Sequence, residues 1–155
     1  MAAMAHHTAV RVRDVDASLR FWRDGLGFEV LMDQQFSGDW PTLLRAPSTS
    51  LRAVFLGRTD HPDGGIVELV DLGDVAPGPG PGDRDGPPPA GLLLVSVMTD
   101  VAAALARLSE LGLGGEPRRV QVHGIDMCTV VDPDGVVVEL VDTGATANLE
   151  RLGTP

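Results

Sequence analysis

The sequence contains no tyrosine and a single cysteine, and only 4% of its residues are aromatic. The lone Cys128 excludes an intrachain disulfide, so the chain suits a reducing compartment. No stretch approaches the roughly 20 apolar residues that a membrane-spanning helix needs. The first residues, Met1 to Val10, also lack the basic segment and apolar run of a secretory signal. These absences predict a cytoplasmic protein without a membrane partner.

Positive charge is also scarce, because 12 basic residues stand against 22 acidic ones and the net charge is -10. A surface of this sign repels a phosphate backbone, so nucleic acid is not an expected partner. The hydrophobic fraction of 43% over 155 residues is enough for a real core. We therefore expect residues 1–155 to form one domain with a small molecule as its ligand.

A segment rich in proline and glycine, residues 74–90, divides the chain into two halves. The end of the first half, HPDGGIVELVDLG (His61–Gly73), aligns without gaps with DPDGVVVELVDTG (Asp132–Gly144). Nine of these thirteen positions are identical, so an internal repeat is indicated. The predicted organisation is a first module over residues 7–73, a linker, a second module over residues 91–144, and a tail over residues 145–155.

The two halves also begin alike. Thr8–Val12 and Leu92–Val97 are β-prone runs, and each precedes an apolar stripe with helical spacing that ends at Gly27 or Gly112. Three further β-prone runs follow in each half: Phe28–Met32, Leu51–Leu56 and Ile66–Asp71 in the first, and Val120–Val122, Met127–Val131 and Val136–Val141 in the second. The sequence thus predicts an α+β fold of two tandem βαβββ modules, forming a curved, cup-like mixed sheet with helices outside.

Strand alternation identifies two acidic residues that would face the interior of this cup. Glu68 and Glu139 occupy the same position of the repeat, with aliphatic residues on both sides. If they point inward, their immediate neighbours in the strands pack against the helices: Val67, Leu69, Val138 and Leu140. The alternative interpretation is that both glutamates are exposed strand residues. Charged side chains between aliphatic neighbours are, however, difficult to hydrate unless they face a cavity.

Two motifs resemble those of the vicinal oxygen chelate superfamily, which contains glyoxalases, epimerases, extradiol dioxygenases and bleomycin-resistance proteins. They are the opening His7-Thr-Ala-Val-Arg-Val12, with its helix ending in Leu26-Gly27-Phe28, and Asp132-Pro-Asp-Gly135 followed by Val137 to Leu140. The resemblance implies that His7, Glu68 and Glu139 bind one divalent metal ion. One nitrogen and two oxygen ligands suit Mn, Fe, Co, Ni or Zn.

The resemblance also implies a homodimer, and it leaves open whether one chain or two close the cup. The fourth ligand position of the superfamily falls at Leu92, or at Leu93 in a shifted register, and neither side chain binds metal. His7 lies beside His6 near the chain start, where a surface histidine is the alternative. The predicted metal site therefore has three ligands and several positions open to water or substrate.

Other residues are candidates for catalysis or substrate binding. Glu68 and Glu139 are candidate proton carriers, and His123 at a His-Gly turn is a candidate acid or base or a plain loop residue. Arg11, on the same strand face as His7, is a candidate contact for an anionic substrate group or a rim ion pair. Trp40 and Leu92 are the remaining candidates for lining the substrate site.

Three functions remain open from the sequence. The first is a metal-dependent enzyme that acts on vicinal oxygens by isomerisation, epimerisation, lyase chemistry or ring cleavage, since a metal-bound oxygen stabilises an enolate or catecholate. The second is a metal-free protein that sequesters an antibiotic or another small molecule. The third is a cavity enzyme without metal that uses the carboxylates and His123. The shortage of aromatic rings for stacking favours the enzyme.

Overall fold

The computed structural model describes residues 3–73, 86–122 and 125–143. Its contacts divide the chain into two compact units, residues 1–78 and 79–155, and each unit carries one βαβββ module. The division falls within the predicted linker. Residues 74–85 of that linker and the predicted tail, residues 145–155, lie outside the described part. In the described part, no helix is long and apolar enough to cross a membrane.

The first module contains four strands and two α-helices. They are β1 (His7–Arg11), α1 (Val15–Leu19), β2 (Glu29–Ser37), α2 (Trp40–Leu44), β3 (Ser50–Gly57) and β4 (Ile66–Asp71). The strand order is β1-β4-β3-β2. β1 pairs with β4 in parallel and the other pairs are antiparallel, so the sheet is mixed.

The first helix begins at Val15 and continues beyond α1 as a π-helical segment, Arg20–Gly25. Asp14 caps its start by accepting hydrogen bonds from the backbone N–H groups of Asp16 and Ala17. The wider π-helical turns bury two consecutive aromatic residues, Phe21 and Trp22, whose ring centroids are 5.3 Å apart. This helix therefore supplies the bulkiest part of the core of the first module.

The second module repeats this arrangement without a counterpart of α2 in its described residues. Its elements are β5 (Val95–Thr99), α3 (Val101–Leu111), β6 (Gly114–Val122), β7 (Ile125–Val131) and β8 (Val137–Asp142), with strand order β5-β8-β7-β6. Asp100 caps α3 through the N–H of Ala103, and Gly112 ends it with a φ of 67°, a left-handed conformation that suits glycine. The predicted α+β class and both βαβββ modules are confirmed.

The alternation predicted for the repeated strands also agrees with the burial. The four aliphatic neighbours of the glutamates are 0–3% exposed: Val67, Leu69, Val138 and Leu140. In the first module α1 contacts β4, and in the second α3 contacts β8. The helices thus cover one face of each sheet, and Glu68 and Glu139 lie on the opposite face.

Several element boundaries differ from the prediction, and β2, for example, extends to Ser37 where the sequence predicts Phe28–Met32. The strand expected at Leu92–Val97 begins at Val95, and Leu92 and Leu93 are 66% and 55% exposed. β6 is much longer than the predicted Val120–Val122. It already begins at Gly114, because residues that precede Val120 pair with β7 across a register shift. The segment around Trp40, where the sequence predicts no helix or strand, contains α2, which Asp39 caps through the N–H of Thr42.

Candidate functional site

The parallel pairing of β1 with β4 brings together two residues of the predicted metal site. The register sets His7 opposite Ile66 and Ala9 opposite Glu68, so the His7 and Glu68 side chains share a face. Nε2 of His7 lies 3.2 Å from Oε2 of Glu68. Residues that are 61 positions apart in the sequence therefore present a nitrogen and an oxygen to the same point.

The imidazole of His7 is held from two further sides. Its ring meets the ring of Phe55 edge to face, with centroids 5.8 Å apart. Its Nδ1 lies 2.9 Å from Nδ1 of His6, so one of these nitrogens donates the hydrogen bond and the other accepts it. When Nδ1 of His7 is the donor, its Nε2 presents a lone pair toward Glu68, which is the form that binds metal.

Glu68 is the more buried partner, since its side chain is 16% exposed against 38% for His7. Burial removes water from the carboxylate and raises the pKa of Glu68 above its usual range, while the neighbouring His7 opposes this shift. A carboxylate in this position is a stronger base than an exposed one. It also gains more from a nearby cation, because a cation offsets the lost hydration.

The distance between the two donor atoms is compatible with a shared ion. Ligand bonds of roughly 2.0 to 2.2 Å, at angles between octahedral and tetrahedral, separate neighbouring donors by about 2.8 to 3.6 Å. The observed 3.2 Å falls in this interval, and a proton shared between the two groups fits it as well. Within the described ranges, no group of three histidine, cysteine or acidic side chains is close enough together to hold a metal ion. The first module thus offers a pair of ligands.

In the second module, Glu139 has a different partner. Ser96 lies opposite Glu139 in the parallel pairing of β5 with β8, and its hydroxyl donates a 2.8 Å hydrogen bond to Oε2. Ser96 therefore occupies the position that Ala9 has in the first module. The hydroxyl fixes the orientation of the carboxylate and leaves its other oxygen available.

The same register corrects the position of the fourth ligand. His7 lies opposite Ile66, whose counterpart in the repeat is Val137. Since Val95 lies opposite Val138, the residue equivalent to His7 is Leu94 rather than Leu92 or Leu93. The shift arises because the pairing starts later than the apolar run suggests. A leucine side chain cannot bind metal either, so Glu139 is the one candidate ligand at the two expected positions of the second module.

Two predicted substrate contacts lie in the first module. Trp40 donates from Nε1 to the carbonyl of Phe36 at 3.3 Å and packs on a cluster of buried residues: Leu51, Ala53 and Val70. Arg11 lines a cavity of about 380 Å³ together with residues of β1, β4 and the segment around α2: Ala9, Leu44, Arg45, Pro47, Val70 and Leu72. Val70 lies opposite Arg11 and two residues beyond Glu68, so this cavity opens beside the His7–Glu68 pair.

Other predicted residues do not join these groups in the described structure. Leu92 is exposed and precedes β5. His123 lies outside the described residues. Sequence reasoning also missed Ser96, which the repeat register would have identified, and Arg45, which no sequence signal marks.

Comparisons with known proteins identify relatives of this chain and solved structures with the same fold. The lactoylglutathione lyase-like protein terB of Aspergillus terreus is 37% identical over 146 residues, covering 88% of this chain and 73% of the relative. The trypanothione-dependent glyoxalase I of Leishmania major shares the fold, with a TM-score of 0.64 and 22% identity over 99% of this chain and 100% of that chain. An antibiotic-binding protein of a Streptomyces species shares it with a TM-score of 0.56 and 23% identity, covering 91% of this chain and 96% of that chain.

The family assignment rests on a match over most of the chain. Residues 5–140 match the sequence pattern of one superfamily, and this range includes His7, Glu68 and Glu139. The range also includes the whole first copy of the internal repeat and residues 132–140 of the second. The chain belongs to the Glyoxalase/Bleomycin resistance protein/Dioxygenase superfamily.

Proposed function

We propose that this protein is a divalent-metal-dependent enzyme that acts on a small molecule with two adjacent oxygens. His7, Glu68 and Glu139 are the proposed ligands of one Mn, Fe, Co, Ni or Zn ion. The observation that carries the proposal is the 3.2 Å approach of His7 Nε2 to Glu68 Oε2 on the sheet face away from the helix. The repeat supports the third ligand, since Glu139 holds in β8 the position that Glu68 holds in β4.

The residues of the chain have separable roles in this proposal. A bound ion supplies the positive charge that stabilises an enolate or catecholate. Glu68 accepts or returns a substrate proton, because its raised pKa makes it a better base than an ordinary carboxylate. Ser96 orients Glu139 through the hydroxyl hydrogen bond. His123 remains a candidate second proton carrier.

The type of reaction is an isomerisation, epimerisation, lyase reaction or oxidative ring cleavage. The relative from Aspergillus terreus is described as lactoylglutathione lyase-like, which favours the lyase and isomerase end of this range. We also propose that the protein acts as a homodimer in the cytoplasm. Light scattering on the purified chain tests the dimer, and a monomer at all concentrations would contradict it.

Titration calorimetry tests the metal proposal. Protein stripped with chelator is titrated with Mn, Co, Ni and Zn, and we expect one ion per chain with micromolar to millimolar affinity. Glu139→Gln and His7→Gln should each weaken binding by at least roughly 100-fold, the upper end of what a disturbed ligand environment costs. His61→Gln is the matched control, since His61 is an exposed turn residue whose backbone forms an isolated β-bridge with Arg58. Absence of binding at millimolar metal, or equal binding by Glu139→Gln, would refute the proposal.

Metal binding should weaken as the pH falls, because protons compete with the metal for the same ligand atoms. Burial raises the pKa of Glu68, so competition at this carboxylate begins at a higher pH than for an exposed glutamate. The affinity measured between pH 8 and pH 5.5 should therefore fall steadily. An affinity that stays constant over this range would argue against Glu68 as a ligand.

A second candidate is a metal-free protein that binds a small molecule or an antibiotic. The observation in its favour is Leu94, which replaces a ligand with an aliphatic side chain at the position equivalent to His7. An antibiotic-binding protein shares the fold. If no metal binds in the calorimetry, this candidate replaces the enzyme.

A further inference from the structure

The segment between β2 and β3 distinguishes the two modules. In the first module twelve residues, 38–49, connect the strands and include α2, whereas residues 123–124 connect β6 and β7 in the second. Trp40 at the start of α2 packs on the sheet face that carries Glu68 and Val70. The segment thus builds the 380 Å³ cavity within one module, between α2 and the paired strands β1 and β4.

The lining of this cavity combines an apolar surface with positive charge. Leu44, Pro47, Val70 and Leu72 provide aliphatic surface, and the charged side chains are Arg11 and Arg45. No carboxylate is among the lining residues within the described ranges. Arg11 already interacts with another group of the chain, so Arg45 is the guanidinium of this lining that would attract an anion, in a protein whose net charge is -10.

Arg45 has an unusual backbone conformation at the end of α2. Its φ of 56° makes it the one non-glycine residue with positive φ among those that the structure describes. Its N–H closes the helix on the carbonyl of Trp40. A side chain with a Cβ is strained in this left-handed region, where glycine is not. An arginine kept in a position that favours glycine points to a role for its side chain.

The volume of this solvent-open cavity accommodates a small ligand. An apolar cavity of about 150 Å³ holds a benzene-sized molecule, so 380 Å³ holds a one-ring or two-ring compound. Val70 is two residues from Glu68 on β4 and Arg11 is four from His7 on β1, which corresponds to roughly 7 to 13 Å along the strands. A ligand with its anionic group at Arg45 would therefore extend along this face of the sheet toward the His7–Glu68 pair.

From this arrangement we propose that the cavity under α2 binds a small amphipathic monoanion, a carboxylate on an aromatic or aliphatic body, with Arg45 as the residue that selects it. The inference rests on the proposed function for its site, since it names the substrate class that would reach His7 and Glu68. It requires no metal for binding. The two proposals can therefore fail separately.

The test uses the full chain in chelator and follows backbone amide chemical shifts by NMR. The probes are 3-phenylpropanoate and its uncharged match, 3-phenylpropanamide. We expect the carboxylate to bind at least about fivefold more tightly than the amide, with shifts at residues that line the cavity. Equal binding of the two probes, or no binding of either at millimolar concentration, would overturn the proposal, whatever the metal titration shows.

Three variants locate the binding. Arg45→Gly removes the guanidinium and relieves the left-handed backbone, so it should fold at least as well as wild type while carboxylate binding weakens about fivefold or more. Leu44→Glu adds a negative charge to the lining and should weaken carboxylate binding at least as much. Leu43→Glu is the matched control, because Leu43 is 71% exposed on the same helix and does not line the cavity. Unchanged binding in Arg45→Gly, or equal losses in the two leucine variants, would contradict the assignment.

Discussion

Replacing Glu68 with glutamine should stabilise the metal-free protein while it abolishes metal binding. The Glu68 side chain is 16% exposed, and its carboxylate has lost part of its hydration. Burial of a polar group without full compensation costs roughly 1–3 kcal/mol in proteins, and the remaining exposure favours the low end. The ion pair with His7 offsets part of this cost, by about 0.2–1 kcal/mol for a pair this exposed, and only while the imidazole is protonated.

The stability that Glu68→Gln gains over wild type should therefore be greatest at alkaline pH. Because the pKa of Glu68 is raised in the folded state, the folded protein holds this proton more tightly than the unfolded chain does. The stability of wild type then falls as the pH rises from the ordinary carboxyl range through the raised pKa, and glutamine does not titrate. We expect Glu68→Gln to match wild type in acid and to exceed it by about 1 kcal/mol at pH 8. For a chain of this length that is about 2–4 °C in Tm.

Thermal unfolding in chelator between pH 5.5 and pH 8.5 measures this difference. Glu29→Gln is the control with the opposite sign. The backbone N–H of Thr59 donates to Glu29 at 2.6 Å and lowers the pKa of that carboxyl, so its ionised form stabilises the fold at neutral pH. Glu29→Gln should lower the Tm at pH 8. If Glu68→Gln also lowers it there, Glu68 is a structural ion-pair partner and the reasoning is wrong.

The remaining predictions concern the frame that positions the site. Leu69→Ala and Leu140→Ala remove leucines that are 0% and 1% exposed, so each should cost about 2–5 kcal/mol in urea unfolding, and a loss under about 1 kcal/mol would contradict the described core. Asp14→Ala removes the cap of α1 and should cost about 1 kcal/mol by the same measurement; no change would mean that the cap is not formed. Gly112→Ala should cost about 1 kcal/mol through backbone strain alone, because no atom lies near an added Cβ, and a neutral result would reject the left-handed end of α3.

Much of the fold was predictable because the repeat and the strand pattern agree. β4 matches the predicted Ile66–Asp71, and β8 differs by one residue at each end from the predicted Val136–Val141. Both strands alternate around a glutamate, which fixes the faces from the sequence alone. Asp14 was likewise predictable, because its side chain and the following apolar stripe are local signals for a helix start.

The errors lie where tertiary contacts decide the structure. The apolar run Leu92–Val97 has no alternation, so only pairing with β8 determines its register and makes Leu94 the counterpart of His7. α2 has five residues and contains Pro41, and its formation depends on the Asp39 cap and on packing of Trp40 rather than on helical periodicity. Such contacts are not visible in the sequence.

The candidate site likewise contains residues that the sequence predicts and residues that only the tertiary structure identifies. The motif that places His7 at the start of β1 and the repeat that marks Glu68 predicted two side chains that the structure brings within 3.2 Å. Arg45 was not predictable, because its position depends on the left-handed turn after α2. The joint site with Glu139 stays a prediction.

Anomalous X-ray diffraction from crystals grown with Mn or Zn tests the central claim most directly. The account predicts one anomalous peak per site, within about 2.0 to 2.2 Å of Nε2 of His7 and of one carboxylate oxygen each from Glu68 and Glu139. Glu139→Gln crystals should lose the peak under the same conditions. An anomalous peak that contacts only His7 and Glu68, or only other residues, would contradict the shared site.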